Sequence, residues 1–286
     1  MGGAGNNRRK TIQQFHATFE CTPRCLLLSS NSQPSVGYSS LIRSLSRELS
    51  LLLIQVRDED DPMKAQEFEC FLSCLQLEPS QLRVFDLTKG TVISDQPLAD
   101  CSGVIIGGSG RYSVANRVAW WDAAATTLLM LCDRNVPVFG SCWGFQAIAQ
   151  ALGGDVVTDS TRAEVGSIDI SLTVEGQRDP IFGAGPSRFP AQSGHQDIVD
   201  RLPPGAICLA SSALVQNQAL KLADKPVYGT QFHPELTQTA LLERIRTYPE
   251  YVESIAGMSV DEFATHCVET PDAMSLLQRF VTHFCN

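Results

Sequence analysis

Cys142 has the surroundings of a nucleophile. It follows an apolar run at residues 136–139, which is typical of a buried strand, and precedes a helical pattern at residues 143–152. Gly140 and Gly144 flank it at a spacing of two, as in a nucleophile elbow, where glycines permit a tight turn. The first turn of the following helix favours a thiolate and a developing oxyanion. A buried structural cysteine is the alternative, but the flanking glycines and a downstream histidine and acid make it the weaker interpretation.

His233 and Glu235 form a second candidate group. In an extended segment, residues two apart point to the same face, and Pro234 keeps His233 out of the helical region. Glu235 can therefore orient the imidazole, which can deprotonate Cys142 and later protonate a leaving amine. The three residues predict acyl transfer by a Cys-His-Glu triad. By itself, His-Pro-Glu would instead indicate a strand end followed by a capped helix.

A glycine-rich turn at residues 107–110 follows the apolar run at residues 103–106, one strand before the elbow. Neighbouring parallel strands end at the same edge of a sheet, so the N–H groups of this turn are predicted to lie near Cys142. Gly108 and Ser109 are therefore expected to supply half of an oxyanion hole. On its own, such a turn would indicate only a loop.

The segments around these residues alternate between strand and helix patterns, which predicts an α/β protein with a mostly parallel sheet. The β-like segments after the elbow helix look antiparallel and are expected to cover one side of the parallel core. Strands are predicted at residues 25–29, 51–56, 82–87, 103–106, 136–139, 155–158, 166–174, 206–210, 218–222 and 226–231, and helices at 37–49, 63–77, 116–132 and 143–152.

The two ends of the chain differ from this region. Residues 1–24 are polar and predict a disordered tail, whereas residues 241–286 have helical patterns. A capping box begins at Ser259, and a last helix after Thr270 carries leucines and phenylalanines on one face. That face is expected to pack on the core, although it would also suit a partner protein.

The composition limits the class of protein. The chain has 43% hydrophobic and 19% charged residues, as a globular protein does, and its net charge of −9 argues against nucleic acid or an anionic membrane as a partner. No apolar run approaches the length of a transmembrane helix, and the N-terminal residues lack the apolar segment of a secretory signal. The ten cysteines are scattered without zinc-site spacing, so we expect reduced thiols, a cytoplasmic location and no metal.

The elbow and the His-Pro-Glu segment together resemble the class I glutamine amidotransferase family, over roughly residues 25–240. The motifs Gly-Ser-Cys-Trp-Gly-Phe-Gln and Gly-Thr-Gln-Phe-His-Pro-Glu are highly specific in combination. The resemblance implies a flavodoxin-like three-layer α/β sandwich, with residues 241–286 as a helical extension outside it. It also implies hydrolysis of the glutamine side-chain amide through a γ-glutamyl thioester, with release of ammonia and without a cofactor.

By resemblance, Cys142 is the nucleophile, His233 the general acid and base, and Glu235 its orienter. The oxyanion donors would be the N–H groups of Trp143 and of the Gly108–Ser109 turn. In this turn the chain departs from the family, because many members have Gly-Gly-Pro where it has Gly-Ser-Gly.

The resemblance also assigns residues to the substrate, and Gln146 is expected to help bind it. Residues 194–197 resemble a subset of stand-alone members that includes GMP-synthase-like amidotransferases and γ-glutamyl peptidases, in which this segment lies near the amino and carboxylate ends of the substrate. His195 is therefore an expected substrate contact, and Asp197 and Glu164 are weaker candidates for the same role. For His195 the alternative is a loop histidine bonded to the local backbone.

Two classes of function stay open. One is an enzyme, which either hydrolyses glutamine for a separate synthetase subunit or cleaves a larger γ-glutamyl compound alone. A separate subunit is expected because residues 1–24 and 241–286 are too short for an ammonia-accepting domain. The other is a non-catalytic scaffold or regulatory protein. Other elbow families fit less well. An α/β-hydrolase places its acid before its histidine, and the peptidase and chaperone branch of the same superfamily has histidine at the position of Trp143.

Overall fold

The computed structural model describes residues 49–285, and for Glu250 and Tyr251 only the backbone. The tail predicted at residues 1–24, the strand at 25–29 and nearly all of the helix at 37–49 lie outside these residues. None of the helices between residues 49 and 285 has the length and apolar character that crossing a membrane requires.

The strands of the described region form two sheets. They are β1 (Leu51–Gln55), β2 (Leu82–Asp86), β3 (Gly103–Ile106), β4 (Val138–Ser141), β5 (Asp155–Thr158), β6 (Glu164–Leu172), β7 (Arg188–His195), β8 (Asp197–Arg201), β9 (Ala206–Ser211), β10 (Ala219–Leu222) and β11 (Val227–Thr230). The larger sheet has the order β2-β1-β3-β4-β11-β10-β9-β6-β7, and β5 pairs with β8 in the smaller one.

The larger sheet is parallel from β2 through β1, β3 and β4 to β11, which confirms the parallel core. Strands β1, β3 and β4 are buried along their whole length, which explains why their sequences are apolar or small on both faces. The antiparallel strands β10, β9, β6 and β7 continue the same sheet beyond β11. The expectation that these strands cover one side of the core is therefore wrong. β11 pairs with β4 on one side, and β10 pairs with its other edge, so the antiparallel strands lengthen the sheet.

Helices lie on both faces of the larger sheet, which confirms the three-layer α/β sandwich. The helices of the described region are α1 (Met63–Leu75), α2 (Asp95–Leu98), α3 (Trp121–Asp133), α4 (Trp143–Ala151), α5 (Val174–Arg178), α6 (Gln238–Thr247), α7 (Glu250–Ile255), α8 (Val260–Ala264) and α9 (Pro271–Phe284). On one face, Phe71 of α1 and Phe280 of α9 pack with Phe139 of β4. On the other, Leu128 of α3 and Ile148 of α4 belong to a second core cluster.

The last helix closes one face of the sheet. The ring of Phe280 lies 5.3 Å from that of Phe139 and 5.7 Å from that of Tyr228. Pro271 occupies the first turn of α9, where its missing N–H costs no hydrogen bond. Before it, the Ser259 side chain accepts a hydrogen bond from the backbone N–H of Glu262 and caps α8. The last helix thus shares a core with the sheet.

Candidate active site

The turn between β4 and α4 holds Cys142 in a strained backbone conformation. Its φ of 48° and ψ of −99° lie outside the regions that non-glycine residues favour. The Cys142 N–H donates to the carbonyl of Thr230 at 2.8 Å, which ties the turn to the end of β11. The strained residue therefore stands at the carboxyl edge of the parallel strands and at the start of α4, as in a nucleophile elbow.

The two glycines beside Cys142 are required by close approach. A Cβ on Gly140 would lie 2.6 Å from the carbonyl carbon of Gly144, so strand and helix could not meet. A Cβ on Gly144 would lie 2.5 Å from the backbone oxygen of Ile106, so α4 could not rest on β3. Both contacts are with backbone or β-carbon atoms of regular elements, which cannot move aside cheaply.

His233 approaches Cys142 from the segment that follows β11. Its N–H donates to the carbonyl of Gln192 at 2.8 Å in an isolated antiparallel bridge. Its Nδ1 lies 2.7 Å from Oε1 of Glu235, which leaves Nε2 available for proton exchange with the Cys142 thiol. The other carboxylate oxygen of Glu235 accepts from the Ser141 hydroxyl at 2.8 Å. The residue before the nucleophile thus helps to hold the carboxylate.

Burial and charge oppose each other in this group. Burial alone would lower the pKa of His233, but the negative charges of Glu235 and Cys142, with their hydrogen bonds, raise it to about 9. Burial alone would raise the pKa of Glu235, but the charge and hydrogen bond of His233 lower it to about 2, with a smaller contribution from Arg244. The two shifts both favour the charged forms, an imidazolium beside a carboxylate.

The glycine turn after β3 lies directly against the thiol and the imidazole. A Cβ on Gly108 would lie 2.9 Å from Cε1 of His233 and 3.7 Å from Cβ of Cys142, so a side chain here would collide with the histidine. The Gly108 N–H donates to Oε1 of Glu67 on α1 at 3.0 Å. The expectation that this N–H serves as an oxyanion donor is therefore wrong, because it already has an acceptor.

Ser109 and Trp143 line the cleft above the thiol together with Cys142. Within the described residues, the backbone N–H groups of Ser109 and Trp143 donate a hydrogen bond to no other protein group. The hydroxyl of Ser109 accepts from the N–H of Tyr112 at 3.0 Å, which turns the loop after it back toward the site. That the N–H groups of Ser109 and Trp143 donate to an oxyanion stays a prediction.

Gln146 contacts other groups of the protein with its side-chain amide. Its Nε2 donates to the carbonyl of Asp197 at 2.8 Å and to Oε1 of Gln231 at 3.2 Å. Nε2 of Gln231 in turn lies 3.7 Å from Sγ of Cys142. Gln146 lines the cleft above the thiol, and its side chain also fixes the neighbouring Gln231.

His195 ends β7 and lines the same cleft. Its Nε2 lies 3.2 Å from Oε2 of Glu164, and that oxygen also accepts from Nε2 of Gln218 at 2.5 Å. Both His195 and Glu164 are buried. The alternative of a loop histidine bonded to the local backbone is wrong, because its partner is a carboxylate on the adjacent strand.

Asp197 holds loops together with both carboxylate oxygens. Its Oδ2 accepts from the Ser113 hydroxyl at 2.7 Å and from the Ala115 N–H at 3.3 Å. Its Oδ1 accepts from the Thr158 hydroxyl at 2.6 Å. Asp197 thus fastens the loop after the glycine turn to β5. It also lines the cleft above the thiol, and its contact with a substrate stays a prediction.

Two clefts meet at the thiol and the imidazole, and Ser109, Gly110 and Gly194 border both. The remaining lining of the first, above the thiol, is Arg111, Tyr112, Ser113, Cys142, Trp143, Gln146, His195, Gln196 and Asp197. That of the second, on the side of the imidazole, is Arg57, Val165, His233, Leu236, Leu241, Arg244, Ile245 and Tyr248. Within residues 49–285, no three His, Cys, Asp or Glu side chains are grouped to hold a metal ion.

Three residues that sequence reasoning missed hold this site together. Ser141 is next to the nucleophile. Gln231 lies two residues before His233 in an extended segment, so the alternation of side chains between the two faces could have indicated that both point toward the site. Glu67 lies on α1, and no spacing in the sequence connects it to the glycine turn.

A thiol on a strand–helix elbow, beside a buried histidine–carboxylate pair, is the arrangement of an α/β cysteine hydrolase. The chain belongs to the class I glutamine amidotransferase family, because residues 72–245 match the model of that family, "Glutamine amidotransferase class-I".

Several relatives share parts of the sequence or the fold. A subunit of the glutamine-hydrolysing GMP synthase of Methanothermobacter thermautotrophicus is 39% identical over 54% of this chain and 76% of its own length. The GMP synthase of Thermosipho africanus is 30% identical over 49% of this chain, and the match spans only 26% of that longer protein. A crystal structure of a glutamine amidotransferase from Thermotoga maritima has the same fold, with a TM-score of 0.67 and 20% identity over 83% of this chain and 99% of its own.

Proposed function

We propose that this protein hydrolyses the side-chain amide of glutamine through a γ-glutamyl thioester on Cys142. The observation that carries the proposal is the strained elbow cysteine beside an imidazole whose Nδ1 lies 2.7 Å from Oε1 of Glu235. Membership of the class I glutamine amidotransferase family supports glutamine as the substrate.

Each step of the reaction uses a group that lies at the site. Sγ of Cys142 attacks the amide carbon, and His233 holds the proton that the thiol has lost. The tetrahedral oxyanion accepts hydrogen bonds from the N–H groups of Ser109 and Trp143. His233 then donates its proton to the leaving nitrogen, so that ammonia departs and the thioester remains. A water molecule, deprotonated by His233, attacks the thioester and releases glutamate and the free thiol.

The first cleft would hold the amino-acid end of the substrate. Gln146 and His195 line it at the side of Cys142, and their protein partners fix their orientation. Pre-oriented polar groups lower the entropy cost of placing a substrate near the nucleophile. Glu235 would orient His233 and stabilise its charged form.

A separate synthetase protein would consume the ammonia. Support comes from the relative in Methanothermobacter thermautotrophicus, which is named as one subunit of GMP synthase and of which the match covers 76%. The match to the longer GMP synthase of Thermosipho africanus covers only 26% of that protein, so most of its length has no counterpart in the matched region.

The test offers the purified protein glutamine, glutathione and other γ-glutamyl amides side by side and follows the release of glutamate. We expect hydrolysis of glutamine that a synthetase partner stimulates and that Cys142→Ala abolishes. Turnover of a γ-glutamyl peptide with none of glutamine would overturn the proposal in favour of the candidate below. If no substrate is turned over, with or without the synthetase partner, the protein has a non-catalytic role.

A γ-glutamyl hydrolase that acts alone on a larger compound is the second candidate, and the cleft beside His233 favours it. The leaving amine must lie on the side of the imidazole that protonates it, and that cleft has apolar walls from Leu236, Leu241 and Ile245. Filling it by Leu241→Trp should slow hydrolysis of a γ-glutamyl peptide and spare hydrolysis of glutamine, whose leaving group is small. Leu129→Trp, at a position that is 41% exposed on α3, is the control.

A further inference from the structure

A buried carboxylate outside the proposed triad contacts the turn that faces the thiol. Glu67 of α1 is fully buried, with 0% of its surface exposed. Its Oε1 accepts the Gly108 N–H at 3.0 Å and lies 3.2 Å from Nε of Arg57. Its Oε2 accepts from Nε2 of Gln55 at 3.2 Å. The carboxylate thus bridges α1, the end of β1 and the glycine turn.

The turn has little room for any other arrangement. A Cβ on Gly107 would lie 2.7 Å from Cδ of Glu67, so the carboxylate packs directly against the backbone of the turn. The Gly107 N–H donates to the carbonyl of Ile54 at 3.0 Å, and its carbonyl accepts the Gly144 N–H at 3.2 Å. Gly107 is therefore held by backbone groups, whereas Gly108 is held by the side chain of Glu67.

The contact decides which N–H group of the turn is available. Because the Gly108 N–H is donated to Glu67, the orientation of that peptide is fixed, and the next donor along the chain is the N–H of Ser109. A hydrogen bond to an ionised acceptor is stronger than one between neutral groups, and Arg57, only 3% exposed, balances the buried charge.

We propose that Glu67 is a positioning residue that fixes the glycine turn so that the Ser109 N–H faces the oxyanion formed on Cys142. The inference rests on the proposed function. Glu67 is fully buried and contacts the turn through the Gly108 N–H, so it acts through the backbone of Gly108.

The test compares two reactions of the same thiol in the full chain. Hydrolysis of glutamine passes through an oxyanion, whereas alkylation of Cys142 by iodoacetamide forms none. In Glu67→Leu, kcat for glutamine should fall about 10²-fold or more, the range seen when one oxyanion donor is lost. KM and the alkylation rate should each change by less than about threefold. Glu67→Gln keeps an oxygen that can accept a hydrogen bond from the Gly108 N–H. Its kcat should therefore be at least about tenfold higher than that of Glu67→Leu.

Two further variants control for folding. Glu67→Leu leaves the buried guanidinium of Arg57 without this partner, so the double variant Arg57→Leu, Glu67→Leu removes both charges and should show the same loss of kcat. Asp179→Leu removes another buried carboxylate, which accepts from Lys221 at 2.8 Å and from Tyr228 at 3.0 Å and contacts none of the site residues. It should reduce stability and leave kcat unchanged.

Three results would overturn the inference. Glu67→Leu with the kcat of the wild type would show that the turn needs no such support. An alkylation rate that falls in parallel with kcat would place the effect on the thiol and the imidazole. An equal loss of kcat in Asp179→Leu would make the effect one of stability. A wild-type protein that hydrolyses neither glutamine nor any γ-glutamyl amide would instead refute the proposed function, on which the inference depends.

Discussion

At the scale of residues, the site combines strain with charge. Cys142 has a φ of 48°, a conformation of the kind that costs about 1–3 kcal/mol and that only surrounding structure can maintain. His233 and Glu235 lie in the same buried volume, where their opposite charges stabilise each other against the cost of burial. The strain and the charges suggest three experiments.

The first concerns thiol reactivity. Burial raises the pKa of Cys74 to about 12 and that of Cys132 to about 11, which keeps these thiols protonated and unreactive at neutral pH. Cys142 lies at a helix start beside an imidazolium, so we expect it to be the most reactive of the ten cysteines. Alkylation by a glutamine-like electrophile, located by peptide mass spectrometry, measures this. Preferential labelling of Cys132 or Cys208 would contradict it.

The second concerns the proposed triad. Cys142→Ala and His233→Ala should each reduce glutamine hydrolysis by about 10⁴-fold or more, and the double variant should be no worse than either, because the two groups act as one unit. Glu235→Gln should leave measurable activity, since an orienting group matters less than those that exchange electrons and protons. Steady-state release of glutamate checks all four proteins. Losses that multiply in the double variant would show that Cys142 and His233 act independently.

The third concerns pH. Because the pKa of His233 is raised, its protonation contributes stability that is fully present below its ordinary pKa of 6.5 and is lost as the pH rises through about 9. The wild-type protein should therefore have a higher free energy of unfolding than His233→Gln, and the difference should be larger at about pH 6 than at about pH 10. Urea unfolding of both proteins at the two pH values measures the difference. A gap that widens toward alkaline pH would contradict the raised pKa.

At the scale of elements, the site depends on how closely β3, β4 and α4 approach one another. The elbow helix rests on β3 through Gly144, whose N–H donates to the carbonyl of Gly107 at 3.2 Å. The same contact fixes the glycine turn, so helix, strand and turn are positioned together.

Gly144→Ala should therefore damage both the fold and the site. The added methyl group would lie 2.5 Å from the backbone oxygen of Ile106, and relief of this overlap would move α4 away from β3. We expect a loss of stability of about 2 kcal/mol or more and a large loss of activity. Thermal unfolding and glutamate release measure these. Gly194→Ala, where nothing lies within 4 Å of the added carbon, is the control for stability and should unfold like the wild type.

At the scale of the whole molecule, the C-terminal helices complete the hydrophobic core. Leu276, Leu277 and Phe280 of α9 are fully buried against the face of the sheet that also receives α1. Side chains so placed each contribute about 1.5–3 kcal/mol by burial. The family match ends at residue 245, but the packed core of this chain extends to α9.

Phe280→Ala tests this contribution. The cavity that it leaves between Phe139 and Tyr228 should lower the free energy of unfolding by about 3–5 kcal/mol. Leu129→Ala, at a position that is 41% exposed, should change it by no more than about 0.5 kcal/mol. Denaturant unfolding of the two variants provides the comparison. Equal stability of the two variants would show that α9 is not part of the folding core.

The sequence by itself determined the parallel core, the elbow and the pairing of His233 with Glu235. Each of these depends on local rules: apolar runs and helical spacing set the elements, glycines set the turn, and alternation in an extended segment puts residues two apart on one face. For the same reason the sequence predicted the cap of α8 by Ser259 and the start of α9.

Only the tertiary structure decided which groups meet across the chain. β11 pairs with β4, so the antiparallel strands extend the sheet instead of covering it. Glu67 accepts a hydrogen bond from the Gly108 N–H. The two carboxylate oxygens of Asp197 accept hydrogen bonds from Ser113, Ala115 and Thr158. These outcomes depend on contacts between residues far apart in the chain. The packing of whole helices and strands determines which acceptor lies beside each buried N–H group, and no local spacing in the sequence predicts it.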